Sequence, residues 1–287
     1  MRQPAEQSQK PVPSVASDPC TDPDAQLPTF SDTEEKQRAD VLKDMLRGTA
    51  ADEKNAWCKM LRRAMAAFST DQLKAMKKAG VRFWRSGEYP PPFKGDFMPS
   101  QPRRLEMARY DPGTRVIQWG PKAGIDEIRH ELAHAWDHVR RGTVARLDSV
   151  TGARLKKAVL NPPPLSSESE EKRLTLTEMV GQETKKVKLS VQEIFDRFMS
   201  RPARTGGDWS FANTRTDPEH VLNNAKEFYA EGYSVFHGDT TDAQAQLLCD
   251  APELYQLLEN EARAAKLKTP NRDVLIDENK KNSRKCV

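Results

Sequence analysis

The sequence predicts an α+β fold that is mostly helical and contains one small twisted sheet. Three observations support this prediction. Apolar residues recur at helical spacing early in the chain, alternate with polar ones between residues 81 and 119, and return to helical spacing after residue 223. The 287 residues are 37% hydrophobic and 31% charged, so the chain is polar but can still bury a core.

Composition divides the chain into three parts. Residues 1–30 are rich in Pro, Ser, Gln and Asp, which predicts disorder. Residues 31–268 carry the periodic apolar pattern and are expected to form a single folded domain. Residues 269–287 are charged and poor in apolar side chains, so we expect a flexible C-terminal tail.

Helices are expected first. Ser31, followed by acidic residues, starts a helix whose apolar stripe includes Val41 and Leu42. A second helix is predicted over residues 51–68, and a third runs from Thr70 to Gly80. These stripes are more typical of a core than of a cofactor site.

Strands follow the third helix. Residues 81–84 alternate in polarity, and residues 105–110 and 115–119 flank a four-residue turn that contains Pro112 and Gly113. We therefore expect a β-hairpin, followed by a helix that opens at Ile125.

The chain after residue 142 changes character. Residues 143–210 contain a proline run, an acidic run and a lysine-rich stretch, which we interpret as an insertion or lid. Within this segment, residues 191–199 are typical of an amphipathic helix. Further helices are predicted over residues 223–236 and 252–266.

Several classes of protein are disfavoured. No apolar run approaches eighteen residues, so no membrane span is expected, and the first thirty residues lack a signal-peptide pattern. The net charge of +4 is small and both signs are interspersed, so no nucleic-acid partner is expected. The scattered cysteines (Cys20, Cys58, Cys249 and Cys286) indicate neither a zinc finger nor a disulfide framework.

The pentapeptide His130-Glu131-Leu132-Ala133-His134 carries the clearest chemical signal. It has the H-E-x-x-H pattern, in which two imidazoles one helical turn apart bind a single zinc ion. Glu131 would lie beside the metal and accept a proton from its water. Two buried histidines on an amphipathic helix are the structural alternative.

A catalytic zinc usually has a third protein ligand. All five histidines fall in two groups, and the second group surrounds Glu227 and Glu231, which lie one turn apart on a predicted helix. Glu227 would complete a His-His-Glu site, and Glu231 would support a ligand histidine through a hydrogen bond. A surface acid at Glu227 and a salt bridge at Glu231 are the alternatives.

Two segments together resemble a known family. HELAHAWD at 130–137 and EFYAEGYSVFH at 227–237 are similar to the catalytic domain of anthrax lethal factor and the related Pro-Pro endopeptidases, which are gluzincin-type zinc metallopeptidases. The resemblance covers about twenty residues of the chain. It implies a zincin-like fold, with His130, His134 and Glu227 as zinc ligands, Glu131 as catalytic base and Glu231 as a supporting carboxylate.

The chain departs from this family in two ways. The interval between His134 and Glu227 is longer than in lethal factor, consistent with an insertion at 143–210. The family has an oxyanion-stabilising tyrosine seven residues before the third ligand, where this chain has His220. A histidine can donate to an oxyanion but titrates near neutrality. Tyr229 and Tyr233 are nearby alternatives.

Two further residues on the zinc helix have open roles. Asp137 either orients the ring of His130 or forms an ion pair on the helix face. His138 shares the face of His130 and His134, but a three-ligand site has no position for it if Glu227 binds. It is either a neighbour of the site or a surface residue.

We therefore expect a zinc-dependent endopeptidase that acts on a protein or peptide substrate, held along the edge strand before the zinc helix. The resemblance also implies a bacterial toxin or effector, secreted or translocated without a cleavable signal. The alternatives are a cytoplasmic location and a catalytically inactive zincin-fold binding module. The sequence indicates neither the cleavage preference nor the oligomeric state.

Overall fold

The structure is a computed structural model, and it describes residues 30–46, 60–85, 107–120, 122–141, 173–180, 183–201 and 224–282. Its helices are α1 (Asp32–Met45), α2 (Thr70–Lys78), α3 (Ile125–Arg140), α4 (Val191–Ser200), α5 (Ala225–Phe236), α6 (Thr241–Asp250), α7 (Pro252–Ala264) and α8 (Arg272–Lys281). Its strands are β1 (Arg82–Arg85), β2 (Ala108–Asp111), β3 (Val116–Trp119), β4 (Leu174–Val180) and β5 (Glu183–Leu189). These elements confirm the α+β class. The predicted disorder of residues 1–29 lies outside the described residues.

The N-terminal helices begin at the serines that the sequence indicates. The hydroxyl of Ser31 accepts from the N–H of Glu34, and Ser69 forms a reciprocal capping box with Gln72. Residues 60–65 are helical, in agreement with the last part of the predicted second helix. Arg38 of α1 donates to the carbonyl oxygens of Met65 (2.6 Å) and Phe68 (2.8 Å). This buried guanidinium therefore fastens α1 to the end of that helix.

The first sheet has the strand order β1-β3-β2. Strand β3 pairs in parallel with β1 (Phe83 opposite Ile117) and antiparallel with β2 (Tyr110 opposite Ile117). The predicted hairpin is therefore confirmed. Strand β2 lies at one edge of the sheet and packs against α3, which places that edge beside the H-E-x-x-H helix.

Helices α3 and α5 pack against each other at the centre of the domain. Ala133 and Ala230 are both fully buried, and their small side chains allow a close approach of the two helices. Gly232 allows α7 to pack closely against the other side of α5, because a Cβ atom at this position would lie 2.4 Å from the side chain of Leu254 on α7. Helix α5 is thus enclosed between neighbouring helices.

Part of the predicted insertion belongs to the core. Strands β4 and β5 form an antiparallel pair. At the end away from the turn, Leu174 lies opposite Leu189, and both side chains are buried. The predicted helix over residues 191–199 is confirmed as α4, and its Phe198 ring lies 4.8 Å from that of Phe228 on α5. Residues 173–201 therefore contribute buried side chains to the domain core. Residues 143–172 and 202–210 lie outside the described residues.

The expected flexible C-terminal tail is wrong for the residues of α8. Asn271 caps this helix, Leu275 is buried, and the side-chain amide of Asn279 donates to the carbonyl oxygen of Ala245 on α6 (2.7 Å). The apolar pattern gave no sign of this packing because one leucine and one asparagine supply the buried contacts.

One cysteine forms a disulfide bond that the scattered cysteines did not indicate. Cys249 of α6 is buried and disulfide-bonded. The linear spacing of the four cysteines could not reveal this, because disulfide formation depends on proximity in space.

Packing of α8 predicts a clear difference between two neighbouring residues. Leu275→Ala should lower the free energy of unfolding by about 2 to 5 kcal/mol, because it removes a fully buried side chain. Val274→Ala is the matched control, with a half-exposed side chain and an expected change within about 0.5 kcal/mol. Urea unfolding monitored by circular dichroism measures both. Equal, small effects would show that α8 is not docked.

Candidate metal centre

Helix α3 presents its two histidines on one face. The helix begins after Gly124, whose N–H donates to the carboxylate of Glu127 (2.9 Å). Ile128, Leu132 and Ala135 are buried in the core, which fixes the rotation of the helix about its axis. As a result, His130 and His134 point together towards α5.

Three side-chain atoms converge between α3 and α5. The Nε2 atoms of His130 and His134 lie 3.0 Å apart, and they lie 3.2 and 3.1 Å from Oε2 of Glu227. Ligand atoms about 2.0 to 2.1 Å from a tetrahedral ion are about 3.3 Å apart. The group His130, His134 and Glu227 could therefore hold a metal ion.

The chemistry of these atoms also requires a cation. Nδ1 of His130 lies 3.1 Å from the carboxylate of Glu231, so a neutral ring donates there and presents a lone pair at Nε2. That lone pair faces the carboxylate oxygen of Glu227, an acceptor, and only a proton or a metal ion can reconcile the two. Although burial lowers it, hydrogen bonds that the ring donates to Glu227 and Glu231 raise the pKa of His130 to about 10.

The pKa of Glu227 is lowered, whereas that of His130 is raised. Burial opposes its ionisation, but hydrogen bonds from His130 and His134 hold the pKa of Glu227 well below its usual range. Its carboxylate is therefore ionised at neutral pH and suited to bind a cation.

Glu231 lies one turn further along α5, behind His130. Its carboxylate is buried and accepts from the Nδ1–H of His130, which fixes the ring tautomer. The structure thus brings Glu231 to the position that the sequence predicts for a supporting carboxylate.

Glu131 faces the edge strand of the sheet. Its Oε2 atom accepts a hydrogen bond from the main-chain N–H of Tyr110 on β2, at 2.5 Å. The predicted base is therefore next to His130 in the helix and in contact with the strand that borders the site.

Asp137 is not where the ring-orienting prediction placed it. Its carboxylate pairs with Arg140 (3.2 Å), Arg141 (2.7 Å) and Arg173 (2.7 Å), not with His130. Arg140 also pairs with Glu261 of α7 at 2.5 Å. The ion-pair alternative holds, and Asp137 fastens the end of α3 to the start of β4.

His138 contacts a residue that the sequence analysis missed. Its Nδ1 atom lies 2.8 Å from the hydroxyl of Tyr110, and the two rings meet edge to face. Sequence spacing placed His138 on the metal face of α3. No sequence pattern could show that β2 brings Tyr110 to it.

The two candidate oxyanion tyrosines are buried and engaged elsewhere. The hydroxyl of Tyr229 donates to Glu261 (2.8 Å), and that of Tyr233 donates to the carbonyl oxygen of Ala67 (2.8 Å). Both hydroxyls therefore stabilise the core. His220 lies outside the described residues, so its proposed role stays a prediction. His237 is partly buried near Arg129, and desolvation lowers its pKa to about 3, so it remains neutral.

Comparison with known proteins identifies no relative. Neither a protein-family model nor a curated protein matches the chain.

Among the described residues, none of the helices has the length and apolar character needed to cross a membrane.

The triangle of ligand atoms predicts how metal binding responds to substitution. Glu227→Gln should weaken zinc binding by more than about 100-fold, whereas Glu231→Gln should cost roughly 10- to 100-fold because it acts through His130. Asp277→Asn, at an exposed position on α8, should have no effect. Competition with a chromophoric chelator measures the affinities. Equal affinities for the wild type and Glu227→Gln would exclude this carboxylate as a ligand.

Metal binding should also release protons. The raised pKa of His130 keeps its ring protonated at neutral pH in the metal-free protein, and a metal ion must displace that proton. Zinc affinity should therefore increase with pH between pH 6 and 8, with about one proton released per ion bound. Calorimetry in buffers of different ionisation enthalpy measures this number. Zero release across that range would mean that the free ring is already neutral.

Proposed function

We propose that this protein is a zinc-dependent endopeptidase with a zincin-like fold. The observation that carries the proposal is the convergence of His130, His134 and Glu227 to within about 3 Å of one another, with Glu131 on the same helix. The resemblance of residues 130–137 and 227–237 to the gluzincin peptidases supports the same activity.

Zinc fits this donor set better than the other common metals. Two imidazoles and one carboxylate are typical of catalytic zinc, whereas calcium and magnesium prefer sites made only of oxygen ligands. Three protein ligands also leave one tetrahedral position for water or substrate. Each ligand has a partner or geometry consistent with that role, including the support of His130 by Glu231.

Zinc and the side chains of the protein would have separate roles in the reaction. Bound zinc would polarise the scissile carbonyl and acidify a water molecule. Glu131 would accept the proton of the attacking water and pass a proton to the leaving amine. His130 and His134 would hold the reacting centre beside Glu131. His220 is the residue we propose to stabilise the oxyanion, since the hydroxyls of Tyr229 and Tyr233 have other partners.

The edge strand β2 indicates a peptide substrate. The carbonyl oxygen of Met107 accepts from the N–H of Gly120, and hydrogen-bonded pairs alternate along an antiparallel ladder. Ala108 and Tyr110 therefore direct their main-chain polar groups away from β3, and the N–H of Tyr110 donates there to Glu131. An extended peptide could pair with Ala108 and with the carbonyl oxygen of Tyr110 and lie across the metal centre.

We also propose that the protein acts outside its producer, as a toxin or effector. The resemblance to lethal factor suggests this setting. Fractionation of the producing cells tests the proposal. Exclusive retention in the cytoplasm under all growth conditions would contradict it.

Substitution of Glu131 tests catalysis. Glu131→Gln should reduce cleavage by at least about 100-fold while zinc binding persists, because it removes the base but no ligand. Proteomic detection of new protein termini in cells exposed to either form measures cleavage, with Asp277→Asn as the control for an acid-to-amide change.

The same experiment separates the alternative of an inactive binding module. If wild-type protein produces its biological effect without new termini, and Glu131→Gln produces the same effect, the protein acts by binding. Loss of both the termini and the effect in Glu131→Gln supports the peptidase.

A further inference from the structure

Tyr110 contacts helix α3 at two points. Its main-chain N–H donates to Oε2 of Glu131 at 2.5 Å, and its side-chain hydroxyl lies 2.8 Å from Nδ1 of His138. Glu131 and His138 are two helical turns apart, roughly 10 Å along the axis. One residue of the edge strand therefore contacts α3 on both sides of His134 along the helix.

The side-chain hydrogen bond joins two neutral groups. Burial raises the pKa of the Tyr110 hydroxyl far above its ordinary value, so this group keeps its proton. Burial, followed by the charge of Arg115, lowers the pKa of His138, which favours a neutral ring. The hydroxyl of Tyr110 donates to Nδ1 of His138 when the imidazole proton is on Nε2, and accepts from it in the other tautomer.

This bond restrains the strand on the side where Glu131 is held. With its side chain fixed to His138, Tyr110 has little freedom to move along or away from α3. Its N–H consequently stays directed at the carboxylate of Glu131. Loss of the hydroxyl would loosen the strand and, with it, the orientation of the carboxylate.

We propose that Tyr110 is a positioning residue. The hydrogen bond between its hydroxyl and His138 fixes the position of its main-chain N–H, and this N–H orients the carboxylate of Glu131. The consequence for catalysis rests on the proposed peptidase function. The structural part, that the side-chain bond controls the contact between the Tyr110 N–H and Glu131, does not rest on it. The two parts can therefore be tested separately.

Amide hydrogen exchange tests the structural part without substrate. In zinc-loaded protein, the amide at position 110 should exchange about tenfold faster in Tyr110→Phe and in His138→Gln than in the wild type. Phenylalanine keeps the edge-to-face packing and removes only the hydroxyl. Tyr233→Phe is the matched control, because it removes a hydrogen bond of equal length (2.8 Å) far along the chain, and it should leave amide 110 unchanged.

Kinetics test the catalytic part. Using a protein substrate identified from the new-termini experiment, Tyr110→Phe should lower kcat about tenfold, with KM and zinc affinity changed by less than about twofold. In the Glu131→Gln background, the same substitution should have no further effect on residual cleavage. A merely structural role would lower both backgrounds alike and would change zinc affinity or thermal stability in parallel.

The outcomes distinguish this inference from the proposed function. Unchanged exchange of amide 110 in both variants overturns the inference, whether or not the protein is a peptidase. Faster exchange with unchanged kcat, or with a change only in KM, overturns the positioning of Glu131. If wild-type protein cleaves nothing, the peptidase proposal fails and the exchange result still decides the structural part.

Discussion

Helices α3 and α5 approach closely enough for two imidazoles and one carboxylate to form a group that could hold a cation, and much of the described structure supports that approach. Ala133 and Ala230 leave room between the helices. Arg129 of α3 donates to the carbonyl oxygen of Ser234 on α5. The hydroxyl of Ser234 in turn donates to the carbonyl oxygen of Asp126, so hydrogen bonds also join α5 to the start of α3. At the other end of α3, Asp137 forms ion pairs with three arginines, and Glu261 links this cluster to α7.

The same approach creates an electrostatic problem that only a cation solves. Glu227 and Glu231 contact the ring of His130, Glu227 also contacts that of His134, and His130 is almost fully buried. Buried carboxylates of one sign repel each other and lose hydration, which costs several kcal/mol per ion unless opposite charge is present. In the metal-free chain a proton on His130 supplies part of that charge. A divalent ion would supply more of it and would satisfy all three inward-facing atoms at once, so metal binding and the stability of this region are expected to be linked.

The sequence predicted much of the helical framework and the membership of the metal triangle, for reasons that are local. Residues four apart on a helix share a face, so His130 with His134, and Glu227 with Glu231, could be grouped before any tertiary contact was known. Ser31 and Ser69 marked their helices because capping is a contact over three residues. What the sequence could not predict depends on distant pairs. Tyr110 reaches His138 only through the docking of β2, Asp137 meets Arg173 across a long interval, and α8 buries only Leu275 and Asn279.

X-ray absorption spectroscopy at the zinc edge tests the central claim most directly, because it reports the ligand atoms whatever the protein's activity. The account predicts one zinc ion per chain, with two imidazole nitrogens at about 2.0 to 2.1 Å and oxygen ligands at about 2.0 to 2.2 Å. In Glu227→Gln the zinc should be lost or its oxygen shell altered, with the imidazole signal reduced or rearranged. A protein that binds no zinc, or a zinc shell containing sulfur or a single imidazole, would contradict the assignment of His130, His134 and Glu227 as the metal centre.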